Sequence, residues 1–155
     1  LEKIAADIGA DVAFFINGGF QISSGIGNFL TSLDSKLLID YTILLVLPSF
    51  HISTKWAYDS LNISLETNVK SPKFSGFQRP VNWQIFENDF ERVIRSTYPE
   101  IDEIKSQLYS CGSIYAGMSG SGSTMFGIFD TPEIARRCSA HFPDYQTIIT
   151  SPYIT

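Results

Sequence analysis

The sequence predicts an α+β fold, a ferredoxin-like α/β sandwich in which helices cover one face of a sheet. The first observation behind this is the order of elements. From residue 41 onward they run strand, helix, long connection, helix, helix, strand, strand, helix, strand. One strand–helix unit thus precedes a hairpin–helix–strand unit, as in that sandwich. The second is periodicity, because Ile101, Ile104 and Leu108 fall three and four apart and mark one helical face. The third is content. Hydrophobic residues make up 44% of the 155, enough for the core of one domain, or of one domain and part of another.

Leu1, Ile4, Ala5 and Ile8 recur at helical spacing with no cap before them. A helix already in progress, and hence a truncated chain, is expected there. Gly9 is its stop, and residues 9–33 read as a loop with a β-rich tail. Within that stretch Asn17-Gly18-Gly19 is a turn signal, Phe20-Gln21-Ile22 alternates as a strand would, and Gly25-Ile26-Gly27 marks a second turn. Tyr41 to Leu47 is a buried strand by its continuous β-favouring apolar content. Ser53 is the expected N-cap of a helix from Thr54 to Leu61. Residues 62–80, rich in Asn, Ser, Thr, Pro and Gly, form a long irregular connection. Trp83, Ile85, Phe86, Phe90, Val93 and Ile94 lie near one face of a helical block, and Pro99 opens a helix from Glu100 to Ser110. Ser113–Met118 and Thr124–Phe129 read as strands around a glycine-rich loop. Asp130 is the expected cap of a helix reaching His141, and Tyr145–Ile149 reads as the last strand.

The net charge of −5 comes without a Lys/Arg cluster, which argues against nucleic acid as the partner. Nucleotides remain open, since backbone nests hold phosphates without net positive charge. Cys111 and Cys138 are too few and too far apart in sequence for a disulfide framework and suit reduced thiols, so a cytoplasmic protein is expected. No secretion signal is read, and the longest apolar run, Ile43 to Leu47, is too short to span a bilayer. His51 and His141 lack partners at metal-ligand spacing, so no metal site is expected.

Three segments carry chemistry. Gly117-Met118-Ser119-Gly120-Ser121-Gly122-Ser123-Thr124 packs three glycines and four hydroxyls between two strands. Glycine lets successive N–H groups point into one concavity and the hydroxyls add donors, which suits a phosphate; a flexible β-connection is the alternative. The loop is no Walker A motif, because no lysine precedes Ser123-Thr124. Nor is it a dinucleotide fingerprint, since Met125 stands where the third glycine belongs. A hydrolase elbow would need glycine at position 121. The second segment, Gly9-Ala10-Asp11-Val12-Ala13-Phe14-Phe15, holds one carboxylate, a general base, a substrate orienter or a turn-forming Asp. In the third, Thr54 and Tyr58 share a helix face and could hold a planar base, unless Trp56 and Tyr58 are packing residues. Asn88-Asp89 reads as a cap or a surface pair.

In this order the segments resemble the GHMP kinases. Gly117 to Phe126 resembles that family's third motif. Gly9 to Phe15 resembles a Gly-Ala-Asp-x-Pro-Phe-Phe stretch of one branch. Asn88-Asp89-Phe90-Glu91 with Tyr98-Pro99-Glu100-Ile101, and Pro48 with Ile52-Ser53-Thr54 and Tyr58, are similar to further stretches of the same branch. The resemblance implies a small-molecule kinase, a phosphotransferase acting on an alcohol group in isoprenoid (terpenoid) biosynthesis. The implied reaction is ATP-dependent phosphorylation of the 2-hydroxyl of a cytidine-diphosphate-linked methylerythritol in the non-mevalonate route, with Mg²⁺ accompanying the ATP. Asp11 matches the catalytic aspartate. Tyr58 matches the aromatic that stacks on cytosine, with Thr54 beside it. Gly117, Ser119, Gly120, Ser121, Gly122 and Ser123 form the loop at the phosphate end of the cleft between domains. On this reading residues 1–40 are the tail of the N-terminal kinase domain and 41–155 the C-terminal domain. The partner is the small cytidine-diphosphate substrate, with no nucleic acid and no membrane, and a homodimer stays open.

The departures are specific. Ala13 stands where the branch has proline, and Gly25-Ile26-Gly27-Asn28 lacks the acidic residue common there. The nucleotide-cradling loop, Pro-x-x-x-Gly-Leu-Gly-Ser-Ser, does not occur in the sequence, and neither does the lysine that pairs with the aspartate, so this chain alone is expected to be inactive. Other readings carried forward are a non-catalytic binding or dimerisation module and another kinase of the family, of mevalonate or homoserine type.

Overall fold

The computed structural model describes residues 8, 9, 12–25, 29–34, 40–61 and 81–152. The expected first helix and the connection at 62–80 therefore lie outside the described residues, except for Ile8, which is helical. The chain divides into two compact units. The first comprises residues 1–40, 74–81 and 152–155, and the second residues 41–73 and 82–151.

In the first unit, helix α1 (Val12–Asn17) precedes strands β1 (Gln21–Ser24) and β2 (Phe29–Ser32). The strands pair antiparallel, with Gln21 opposite Ser32 and Ser24 opposite Phe29. The loop expected at residues 12–17 is thus a helix, because Ala13 to Ile16 form an unbroken apolar run with no period to reveal it. Gly18 ends α1: with φ of 61° it donates its N–H to Phe14 O at 2.8 Å, a left-handed helix cap. The Asn-Gly-Gly turn signal therefore stops a helix rather than joining two strands.

In the second unit, β3 (Thr42–Leu47) leads to α2 (Thr54–Ser60), a 3₁₀ turn at Trp83–Ile85, α3 (Asp89–Ile94) and α4 (Glu100–Ser110). Then follow β4 (Tyr115–Met118), β5 (Met125–Phe129), α5 (Pro132–Ser139) and β6 (Gln146–Thr150). The sheet order is β4-β5-β3-β6 and every pair is antiparallel. This is the ferredoxin-like topology expected from the element order.

Successive residues alternate between the two sheet faces, and on one of them Leu44 and Val46 of β3, Ala116 and Met118 of β4, and Met125 and Phe129 of β5 are all buried. Ile101, Ile104 and Leu108 of α4 and Ala135 and Cys138 of α5 join them in one core. Gly127 gives α4 room on β5, since a Cβ there would lie 3.1 Å from Leu108 Cδ2.

Two boundaries differ from expectation. The helical block at Trp83–Ile94 is broken, because Asn82 and Asn88 each turn a side-chain oxygen onto the N–H two residues ahead and start separate elements. The cap of α5 is Thr131, not Asp130. Preceding a proline, Thr131 is held extended at φ −140°, ψ 151°, and its hydroxyl accepts from Ile134 N–H.

Candidate functional site

The loop between β4 and β5 is bounded by Ser119 N–H donating to Thr124 O at 2.9 Å and closed further by Gly122 N–H on Ser119 O at 3.0 Å. Gly120 at φ 55° and Gly122 at φ 90° carry the backbone through conformations that side chains disfavour. The Gly122–Ser123 peptide is cis. Gly122 also sits against the core, where a Cβ would lie 2.8 Å from both Ile52 Cδ1 and Met118 Sδ.

Three other segments hold this loop. Ser123 Oγ donates to Phe50 O at 2.7 Å, from the turn after β3. Thr54 Oγ1, at the first position of α2, lies 3.1 Å from Ser121 Oγ. Asn88 Nδ2 donates to Met118 O at 2.8 Å and to Gly120 O at 2.9 Å.

Helix α2 is fixed by Ser53, whose hydroxyl accepts from Trp56 N–H at 3.3 Å. Trp56 turns inward and meets the Tyr98 ring edge to face, while Tyr98 stacks on Phe50 at 5.1 Å. Trp56 is therefore a packing residue. Tyr58 differs: its ring meets Phe90 edge to face at 4.9 Å, and 57% of the residue remains exposed, which leaves ring surface for a ligand.

The structure thus brings Thr54 onto the loop that holds Gly117, Ser119, Gly120, Ser121, Gly122 and Ser123, and sets Tyr58 one helical turn further along α2. Gly117 belongs to β4 rather than to the loop, with Tyr115 Oη lying 3.0 Å from where its Cβ would be. Ser119 and Gly120 are exposed. The donors gathered here, the hydroxyls of Thr54 and Ser121 beside a glycine-rich backbone, have the chemistry of an anion site. Asp11 lies outside the described residues.

Sequence reasoning missed the part played by α3. Asn88 does cap the helix, accepting Phe90 N–H at 3.0 Å, but its amide also holds the loop. Glu91 Oε1 accepts Met118 N–H at 2.7 Å, and Glu91 Oε2 pairs with Lys105 of α4. The Asn-x-x-Glu spacing puts both side chains at the first turn of one helix, but locally it reads only as a helix start and does not mark the distant loop.

A half-open cavity of about 370 Å³ borders α3, lined by Phe86, Glu87, Asp89, Arg92 and Arg95 among others. Its cations and carboxylates balance, and neither Thr54 nor any residue of the 119–123 loop lines it. Among the described residues no three His, Cys, Asp or Glu side chains cluster as metal ligands would, and no helix is long and apolar enough to cross a membrane.

Residues 68–145 match the family described as "GHMP kinases C terminal". The chain is 36% identical over 147 residues to 4-diphosphocytidyl-2-C-methyl-D-erythritol kinase of Prosthecochloris aestuarii, covering 90% of this chain and 50% of that protein. It is 41% identical over 140 residues to the same-named kinase of Bacteroides fragilis, covering 86% of this chain and 48% of that one. The chain therefore spans about half the length of the curated relatives it matches. In fold it is similar to the crystal structure of a 4-(cytidine 5'-diphospho)-2C-methyl-D-erythritol kinase, with a TM-score of 0.72, 23% identity, and coverage of 96% of this chain and 55% of that one.

Proposed function

The chain belongs to the GHMP kinase family, and from that premise we propose that the whole protein phosphorylates the 2-hydroxyl of 4-diphosphocytidyl-2-C-methyl-D-erythritol with ATP. Residues 1–40 are assigned to the tail of the N-terminal kinase domain and 41–155 to the C-terminal domain. One observation carries the reading. Thr54 and Ser121, 67 residues apart and predicted separately for the substrate's base and for its phosphate end, lie within 3.1 Å of each other.

The residues take these roles. Tyr58 offers its exposed ring to the cytosine, and Thr54 offers a hydroxyl beside it. Ser119 and Ser121, with the backbone at Gly120, donate hydrogen bonds to the phosphate end of the substrate, while the Gly122 N–H, already used on Ser119 O, helps close the loop. Ser123 is already engaged with Phe50 O, so it shapes the loop rather than donating to substrate. Asp11 is assigned as the group that orients or deprotonates the attacking hydroxyl. ATP supplies the phosphoryl group, with Mg²⁺ neutralising its oxygens.

A cytoplasmic location is assigned with this reading, on the two cysteines taken as reduced thiols. A homodimer stays open, and mass measured in solution decides it.

Isothermal titration of the whole protein with the cytidine substrate tests the reading, and saturable binding at one site per chain is expected. Absence of cytidine-dependent binding, with tight binding of mevalonate or homoserine instead, would move the protein to another branch of the family. The chain of residues 1–155 by itself is expected not to turn over ATP. Activity equal to that of the whole protein would overturn the division of labour assigned here.

A further inference from the structure

The geometry points to Asn88 as a positioning residue: its one side chain caps α3 and sets the conformation of the loop that receives the substrate's phosphate end. The inference rests on the kinase reading for its functional half and on hydrogen bonding alone for its structural half.

A primary amide has one acceptor oxygen and two N–H donors. Asn88 Oδ1 is used on Phe90 N–H at 3.0 Å, which is the cap of α3. For that task Asp or Ser would serve as well. The two donors are used on the loop, at Met118 O (2.8 Å) and Gly120 O (2.9 Å). Among the residues that cap helices well, only Asn carries an oxygen for the helix and two hydrogens for something else. The residue type is thus explained by the loop and not by the cap.

What those two bonds fix is specific. Glu91 Oε1 takes the N–H of Met118, so both backbone polar groups of Met118 are held by side chains of α3's first turn. The end of β4 is pinned there. Asn88 then draws the Gly120 carbonyl to the same amide. Across a trans peptide the carbonyl and the following N–H point opposite ways. Holding Gly120 O toward Asn88 therefore turns the N–H of Ser121 away from it. Ser121 is also the residue whose hydroxyl meets Thr54. Gly120 needs this constraint most, because at φ 55° nothing lies within 4 Å of where a Cβ would stand, so packing does not hold it. On the other side of the cap, Phe90 carries the ring on which Tyr58 rests. One side chain thus ties the helix next to the base-stacking tyrosine to the loop at the phosphate end.

The test uses the whole protein and the variants Asn88→Asp, Asn88→Ser and Thr131→Ala. Asn88→Asp keeps the cap but sets an oxygen against two carbonyls. Asn88→Ser keeps the cap and introduces no repulsion, so it carries the test should the Asp variant fail to fold. Thr131→Ala removes a cap of similar kind, on α5, that does not touch the loop. Steady-state kinetics with the cytidine substrate are read beside amide hydrogen exchange of the peptide covering residues 118–124.

Both Asn88 variants are expected to speed exchange at residues 119–123. They are also expected to lower kcat by roughly ten- to a hundredfold, the effect of losing two hydrogen bonds to the loop, with KM for the cytidine substrate moving less than about threefold. Thr131→Ala is expected to lower stability and leave kcat within about twofold. Wild-type exchange or wild-type kcat in Asn88→Ser overturns the inference. If the wild-type protein phosphorylates no cytidine-diphosphate substrate, the kinase reading fails. Exchange in Asn88→Ser then still decides whether Asn88 holds the loop, faster exchange supporting it and unchanged exchange overturning it.

Discussion

Replacing Gly122 by Ala adds one methyl group at a place where two separate costs meet. The backbone there has φ of 90°, which an L side chain adopts only under strain. A left-handed conformation costs a non-glycine residue roughly 1–2 kcal/mol. The new Cβ would also stand 2.8 Å from Ile52 Cδ1 and 2.8 Å from Met118 Sδ. Both neighbours are buried, at 1% and 3% exposure. The methionine can swing and Ile52 Cδ1 can turn about the second torsion, but both side chains lie in the packed core and have little room to give. Overfilling a packed site of this kind costs about 1–3 kcal/mol. The sum is roughly 2–5 kcal/mol, a large share of the ~5–15 kcal/mol that holds a typical domain folded. Gly120→Ala isolates the first cost, since Gly120 also has positive φ but its added Cβ would meet nothing within 4 Å. Urea unfolding of both variants, followed by circular dichroism with a shared slope, measures the difference. Gly122→Ala should be the less stable of the two by at least about 1 kcal/mol. A Gly120→Ala variant destabilised as much as Gly122→Ala would refute the reasoning, because the clash with Ile52 and Met118 would then count for nothing.

Thr54→Val removes an exposed hydroxyl contact with Ser121 and should change stability by less than about 0.5 kcal/mol, while calorimetry of the whole protein should show weaker binding of the cytidine substrate. Tyr58→Phe should bind that substrate nearly as well as wild type and Tyr58→Ala more than about tenfold less well, because the ring and not the hydroxyl is assigned to the base. Tyr145 is pushed up to about 12 by burial and by the hydrogen bond it donates to Glu100, and Tyr115 to about 12 by burial and the charge of Glu91. The unfolded chain ionises these phenols first, near their ordinary value of 10.0, so their stabilisation is complete below that pH and lost as pH climbs toward 12. Urea midpoints at rising alkaline pH should accordingly fall less steeply in Tyr145→Phe than in wild type. Burial and the neighbouring Cys111 raise the Cys138 thiol well above its usual range, so iodoacetamide should label Cys111 in the folded chain and reach Cys138 only after unfolding, as peptide mass mapping would show.

The fold was legible where local chemistry and tertiary context agree. Strand β3, helix α2 behind its Ser53 cap and helix α4 all stand where continuous β-favouring apolar content, capping and three-and-four spacing put them. It was not legible at α1, where Ala13, Phe14, Phe15 and Ile16 are apolar without a period and only the Gly18 cap shows a helix ending. Capping also misled at α5. Asp130 and Thr131 are both good caps, and what decides between them is the proline that holds its predecessor extended.

The candidate site was legible in its parts but not in its joints. Thr54, Tyr58 and the 117–124 loop could be picked out because each carries chemistry in its own residue types. The bonds that assemble them run between groups that local patterns leave unmarked: Ser123 to a main-chain carbonyl at Phe50, and Asn88 and Glu91 to the main chain at Met118 and Gly120. A capping asparagine is locally complete once its oxygen is used, so nothing in its neighbourhood says where the amide hydrogens go. Yet buried and half-buried polar groups must find partners. A helix cap written as Asn where Asp or Ser would do thus has two donors to place. Here both fall on the loop that most needs a fixed shape, one by one accounting for a residue choice that the helix alone leaves arbitrary.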